Sequence, residues 1–172
     1  MKKITISGKH NIDKINNTKS AIRECMMNNI NVINDRDFLY EDEIKMINKL
    51  YLEEHFVNEL LVSRELNKKI ASYKSQDVKK NIYDQDLLIK KEEVIEKLVA
   101  SQLKCYYCSC KVKIIFIISR EPKQWTLDRI DNDKCHSKEN TVIACLKCNL
   151  DRRVTDIDKF KFTKQLKIMK TN

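Results

Sequence analysis

Four cysteines and one short polar run carry the chemistry that can be read directly from this sequence. Cys105 and Cys108 form one C-x2-C pair and Cys145 and Cys148 a second, with 36 residues between the pairs. Four thiolates can close a tetrahedral shell around Zn2+, and C-x2-C lets one tight turn supply two of them. The gap exceeds the roughly 15–20 residues of a simple zinc ribbon, so something further must fold inside the loop. The distinctive part of that insert, Asp128 to Asn140, is polar: it holds an Asp-Arg-Ile-Asp run, a histidine and two asparagines. A purely structural zinc clip needs none of these.

The elements that must hold these residues follow from local pattern. Trp125-Thr126-Leu127-Asp128 reads as a strand, and Thr141-Val142-Ile143-Ala144 as the strand returning beside it, joined by the polar loop Asn132 to Glu139. A helix is expected from Leu146 to about Arg153. Upstream, Lys111–Ser119 (KVKIIFIIS) is β-branched enough for a further strand, and Arg120-Glu121-Pro122-Lys123 makes a turn. A last amphipathic helix is expected from Lys159 to Lys170. Phe162, Leu166 and Met169 would form its apolar face, with Lys161, Lys164 and Lys167 on the opposite arc.

The order of these motifs resembles one family. A C-x2-C knuckle, then Leu127-Asp128-Arg129-Ile130, then Glu139-Asn140, then Cys145-x2-Cys148-Asn149 with basic residues following resembles the HNH nucleases. These are the ββα-metal, or His-Me finger, endonucleases that carry a zinc-binding knuckle. QWTLDRIDN and CLKCNLDRR are similar to small HNH proteins of large DNA viruses, and the resemblance covers about residues 100–172. It implies a phosphodiester hydrolase in which one divalent ion, Mg2+ or Mn2+, acts as Lewis acid and leaving-group clamp. Asp128 matches the carboxylate ligand of that ion and Asn149 the ligand on the helix; both are oxygen donors, as a hard ion requires. Asn140 matches the asparagine that braces the loop between the strands.

The chain departs from that pattern at Arg129, where most such enzymes place a general-base histidine. A guanidinium stays protonated and cannot accept a proton, though it could clamp a phosphate bidentately. His136 is then the one histidine inside the module, and its ordinary pKa suits a base. It could equally order the loop through a hydrogen bond. Asp131, or a metal-bound water needing no protein base, are the other readings. Arg152, Arg153, Lys161, Lys164 and Lys167 are expected to contact phosphates.

Composition sets the frame. The chain has 172 residues, a formal net charge of +9 and seven cysteines. The positive balance favours a polyanionic partner, with double-stranded DNA the expectation and RNA left open. Cys25, Cys110 and Cys135 are left over as free thiols, which points to a reducing, intracellular compartment. The first residues lack the apolar stretch of a secretory signal, and the longest apolar run, Ile114 to Ile118, is too short to span a bilayer.

The expected fold class is α+β: a polar arm (1–35), a helical region (36–99) and a zinc-stabilised ββα-metal module (100–172). Ile4 and Ile6 suggest a short strand, and His10 and His55 read as solvated or packing residues. Ile44, Ile47, Tyr51, Phe56, Leu60 and Ile70 recur at helical spacing from Glu41 to Tyr73. Ser75-Gln76-Asp77 is expected as a break and N-cap. A second helix would then run to about Leu103, with Val94, Ile95, Leu98 and Leu103 near one face. This helical region reads as scaffold. The competing function is a non-catalytic, zinc-dependent nucleic-acid-binding protein, for which Arg129 is the best argument.

Overall fold

The structure is a computed structural model, and it describes residues 40–116 and 118–166. The expectations placed on Ile4, Ile6, His10, Cys25, Lys167 and Met169 lie outside the described residues. In chain order the elements are α1 (Tyr40–Tyr51), α2 (Glu59–Lys79), α3 (Lys91–Ala100), β1 (Trp125–Arg129), β2 (Thr141–Cys145), α4 (Leu146–Arg152) and α5 (Ile157–Gln165). Helices and a small two-stranded sheet make it an α+β fold. None of the described helices is long and apolar enough to cross a membrane.

The helical pattern from Glu41 is two helices, not one. Glu53 and Asn58 adopt left-handed backbone angles (φ 57° and 75°) and interrupt it. The expected break at Ser75-Gln76-Asp77 does not occur, because α2 runs through it to Lys79. Weak local preferences for a cap lose here to tertiary contact: Leu61, Glu65, Tyr73 and Asp77, spaced in fours, lie on a buried face that continues to the end of the helix. The true stop is Asn81, in the left-handed region at φ 58°. Ile82 N donates to Asp77 O and Asn81 N to Val78 O, a Schellman ending in which asparagine replaces the usual glycine. The second helix is accordingly short, yet Val94, Ile95, Leu98 and Leu103 are all buried as expected.

The expected strand at Lys111–Ser119 is not formed among the described residues. Only isolated bridges join Lys111 to Lys104 and Lys113 to Gln124. The backbone donors of Ile114 and Ile115 go instead to one carboxylate oxygen of buried Glu43 on α1, at 3.0 and 2.8 Å. A side chain from a distant helix has taken the place of a strand partner.

β1 and β2 pair antiparallel, Trp125 opposite Cys145 and Arg129 opposite Thr141. Among the described residues no strand lies beside the outer edge of β1, so its polar groups need other partners. Trp125 N donates to Lys113 O, and Trp125 O accepts from Lys69 Nζ. Leu127 N donates to the Tyr73 hydroxyl at 2.8 Å, Leu127 O accepts from Asn149 Nδ2 at 3.2 Å, and Arg129 O accepts from Arg152. Lys69 and Tyr73 both come from α2, so this helix lies along the strand's open edge and closes it with side chains.

One buried cluster joins the parts: Val62 and Leu66 of α2, Leu98 of α3, Trp125 and Leu127 of β1, Ile143 of β2 and Phe160 of α5 all belong to it. In α5 the packed face is centred on buried Phe160, whereas Phe162, expected inside, is 67% exposed. Ile157, Phe160, Lys161 and Lys164 share the inward arc at spacings of three and four.

Candidate metal centre and the cleft beside it

The two C-x2-C pairs meet. The sulfurs of Cys105, Cys108, Cys145 and Cys148 all lie within 4.8 Å of one another. The first pair sits on a tight turn in which Ser109 N donates to Cys105 O and Cys105 N to Cys110 O, both at 2.9 Å. Ser109 is held at φ 56° to make that turn. Tyr106 N donates to Ile143 O and fastens the turn to β2. The second pair straddles the start of α4, where Cys145 is the N-cap and its sulfur accepts from Cys148 N at 3.4 Å. Crowding four sulfurs in the core disfavours thiolates without a cation. The Cys145 contact and burial push the Cys105 thiol up to about 12, and burial and Cys105 do the same to Cys148. A divalent ion reverses this balance. Four soft ligands with no open position fit a structural ion such as zinc.

β1 presents Asp128, which is 5% exposed. Its Oδ2 accepts from the Tyr107 hydroxyl at 2.5 Å and from Arg152 Nε at 2.6 Å, and its Oδ1 accepts from Arg152 Nη2 at 3.1 Å. Three of about four acceptor sites are therefore in use, and a guanidinium neutralises the charge. This also corrects the expectation for Arg152: at 2% exposure it faces Asp128 and cannot reach a phosphate. Asn149 lies on α4 and its Nδ2 donates to Thr126 Oγ1 at 3.1 Å and to Leu127 O at 3.2 Å, while its Oδ1 has no described hydrogen-bond partner. Asn140 spans the loop, its Oδ1 accepting from Asp131 N and its Nδ2 donating to Asp131 O and Cys135 O, all within 2.9 Å.

At the other end of the loop, His136 is 3% exposed. Its ring Nδ1 is 2.6 Å from Asp77 Oδ1, and its backbone N donates to Asp77 Oδ2 at 2.8 Å. The ring stacks on Tyr73 with centroids 4.7 Å apart. Arg129 Nη1 lies 3.5 Å from the same Asp77 Oδ1 and donates to Lys134 O at 3.2 Å. Burial lowers the His136 pKa below its ordinary value; Asp77 pulls it upward, and Arg129 and Lys80 push it down. Burial thus favours the neutral ring over the imidazolium. Asp131, the other base considered, has its carboxyl lowered by the Asp133 N–H and Lys134, which makes it a poorer base. Asp77 itself had offered only a capping signal in the sequence. What could have shown it is the spacing of Glu65, Lys69, Tyr73 and Asp77, polar groups four apart on the face that also carries Leu61, Val62 and Leu66.

A cleft of about 790 Å3 lies between α2 and the β1–β2–α4 unit, and Tyr73, Asp128, Arg129, His136, Asn149 and Arg153 line it. Lys80 stands on its rim and, like Arg153, is exposed. The lysines of α5 do not form the open arc expected. Lys161 Nζ sits 3.9 Å from the centroid of the Tyr106 ring, and Lys164 pairs with Asp151 at 2.8 Å. Compared with known proteins, the chain matches no family model, no curated protein and no solved structure.

Proposed function

We propose that this chain is a zinc-stabilised endonuclease of the HNH type, hydrolysing phosphodiester bonds of DNA, with His136 as the general base. The observation that carries this reading is the His136 imidazole, fixed through Nδ1 on the wall of a cleft that also holds Arg129 and Asn149. A neutral imidazole held at one nitrogen leaves the other to take a proton from an attacking water. Arg129 and Arg153 supply positive charge for the phosphate in the same cleft.

A Mg2+ or Mn2+ ion would polarise the phosphate, and Asn149 Oδ1 with the remaining lone pair of Asp128 would be the donors that hold it. Asp128 is a strained choice while Arg152 holds it. That pairing favours the second reading, a zinc-dependent nucleic-acid-binding protein without catalysis. Nicking of supercoiled plasmid, with and without Mg2+ or Mn2+, separates the two. Cleavage that depends on the ion and falls about 100-fold or more in His136→Ala supports the nuclease. Wild-type protein that binds DNA but stays inert with every divalent ion overturns it.

A further inference from the structure

We infer that Asp77 is the positioning residue for His136, so that α2 completes the site rather than merely supporting it. The inference rests on the reading of His136 as the base. Asp77 stands 59 residues before His136 and is entirely buried. A carboxylate removed from water is costly unless its oxygens are used. Here Oδ2 takes the His136 backbone N–H, and Oδ1 takes the ring at 2.6 Å with Arg129 at 3.5 Å.

The two oxygens do different things. The backbone bond alone would tether the loop to α2. The ring bond adds nothing to that tether, but it decides the imidazole's protonation pattern, since a carboxylate only accepts and Nδ1 must carry the hydrogen. Nε2 is then left as the basic nitrogen. It has no hydrogen-bond partner among the described residues, and His136 is one of the residues that line the cleft. Tyr73 fixes the remaining freedom: its ring stacks on the imidazole while its hydroxyl accepts from Leu127 N. Two residues one turn apart on α2 thus hold the base from its edge and its face.

Asp77→Asn separates tethering from positioning. The amide oxygen can still accept the His136 N–H, but an amide N–H beside the ring would donate to Nδ1 and move the ring hydrogen to Nε2. An Nε2–H imidazole cannot take a proton there. Two measurements are needed: Mg2+-dependent cleavage of a plasmid, and ring 15N shifts of His136 in the full chain loaded with zinc. Wild type is expected to show the Nδ1–H form near pH 7. Asp77→Asn is expected to show the Nε2–H form, with zinc content retained, cleavage lowered about 100-fold or more and oligonucleotide affinity within about threefold of wild type. Wild-type shifts reporting Nε2–H overturn the inference even if the variant does not fold, and so does an Asp77→Asn protein that keeps the wild-type rate. Inert wild-type protein would sink the nuclease reading alone, because the ring shifts still decide what Asp77 does.

Discussion

Arg152 holds Asp128 by two hydrogen bonds, Nε to Oδ2 at 2.6 Å and Nη2 to Oδ1 at 3.1 Å, in a pair that is almost wholly buried. The same guanidinium donates to Arg129 O and Thr155 O, so it ties the end of β1 to the segment after α4. A residue expected on the DNA-facing surface is instead a structural strut. Its partner, expected as an open metal ligand, reaches any ion only in competition with it.

Truncating either member should therefore destabilise the fold. Asp128→Ala leaves a buried guanidinium unpaired and Arg152→Ala a buried carboxylate, each at a cost of about 3–5 kcal/mol. The double variant Asp128→Leu/Arg152→Met should be less destabilised than either single change, as measured by urea denaturation. Single variants with wild-type stability would show that the pair is not formed in solution.

Zinc content should follow the four-sulfur cluster and not the cysteine count. The purified chain should carry about one zinc, and Cys148→Ser should lose it and unfold the β1–β2–α4 unit, because these cysteines are part of the core. Cys110→Ser, beside the cluster but not among its four, should keep the metal. Elemental analysis of the three proteins decides this, and full zinc occupancy in Cys148→Ser would refute the ligand assignment.

DNA affinity should depend on the cleft rim more than on α5. Lys80→Ala/Arg153→Ala should reduce the slope of log affinity against log salt by about 2, near one unit per lost phosphate contact. Lys161→Ala/Lys164→Ala should leave the slope nearly unchanged, because one cation covers Tyr106 and the other pairs with Asp151. The reverse pattern would return the interface to the last helix.

Stability should fall on mild acidification, and His136 should account for part of the fall. Its pKa is lowered in the folded chain, so below its ordinary value of 6.5 the unfolded chain binds the extra proton first. The contribution is full above about pH 6.5 and is lost as pH falls toward the folded pKa. His55 acts in the opposite sense, since Glu59 raises its pKa at the surface. The measurement is thus the difference between wild type and His136→Gln in thermal midpoints from pH 7.5 to 5. Parallel curves for the two proteins would show that the ring is not buried neutral.

Much of the site was legible from spacing alone. C-x2-C repeated at Cys105 and Cys145 marks the four sulfurs that converge, because each such pair lets one tight turn supply two ligands of a tetrahedral thiolate site. The strand pair at Trp125 and Thr141 and the helix at Leu146 were also readable, since period-two and helical patterns are local properties. What residues distant in sequence do to one another was not readable. Glu43 took the donors that would have made a strand of Lys111–Ser119, and Asp77 left its capping signal for His136, 59 residues away. Arg152 turned inward to Asp128, although as an isolated arginine it reads as surface. In each case a buried polar group had to find a partner once water was excluded, and only the packing of the helices on the sheet determines which partner is within reach.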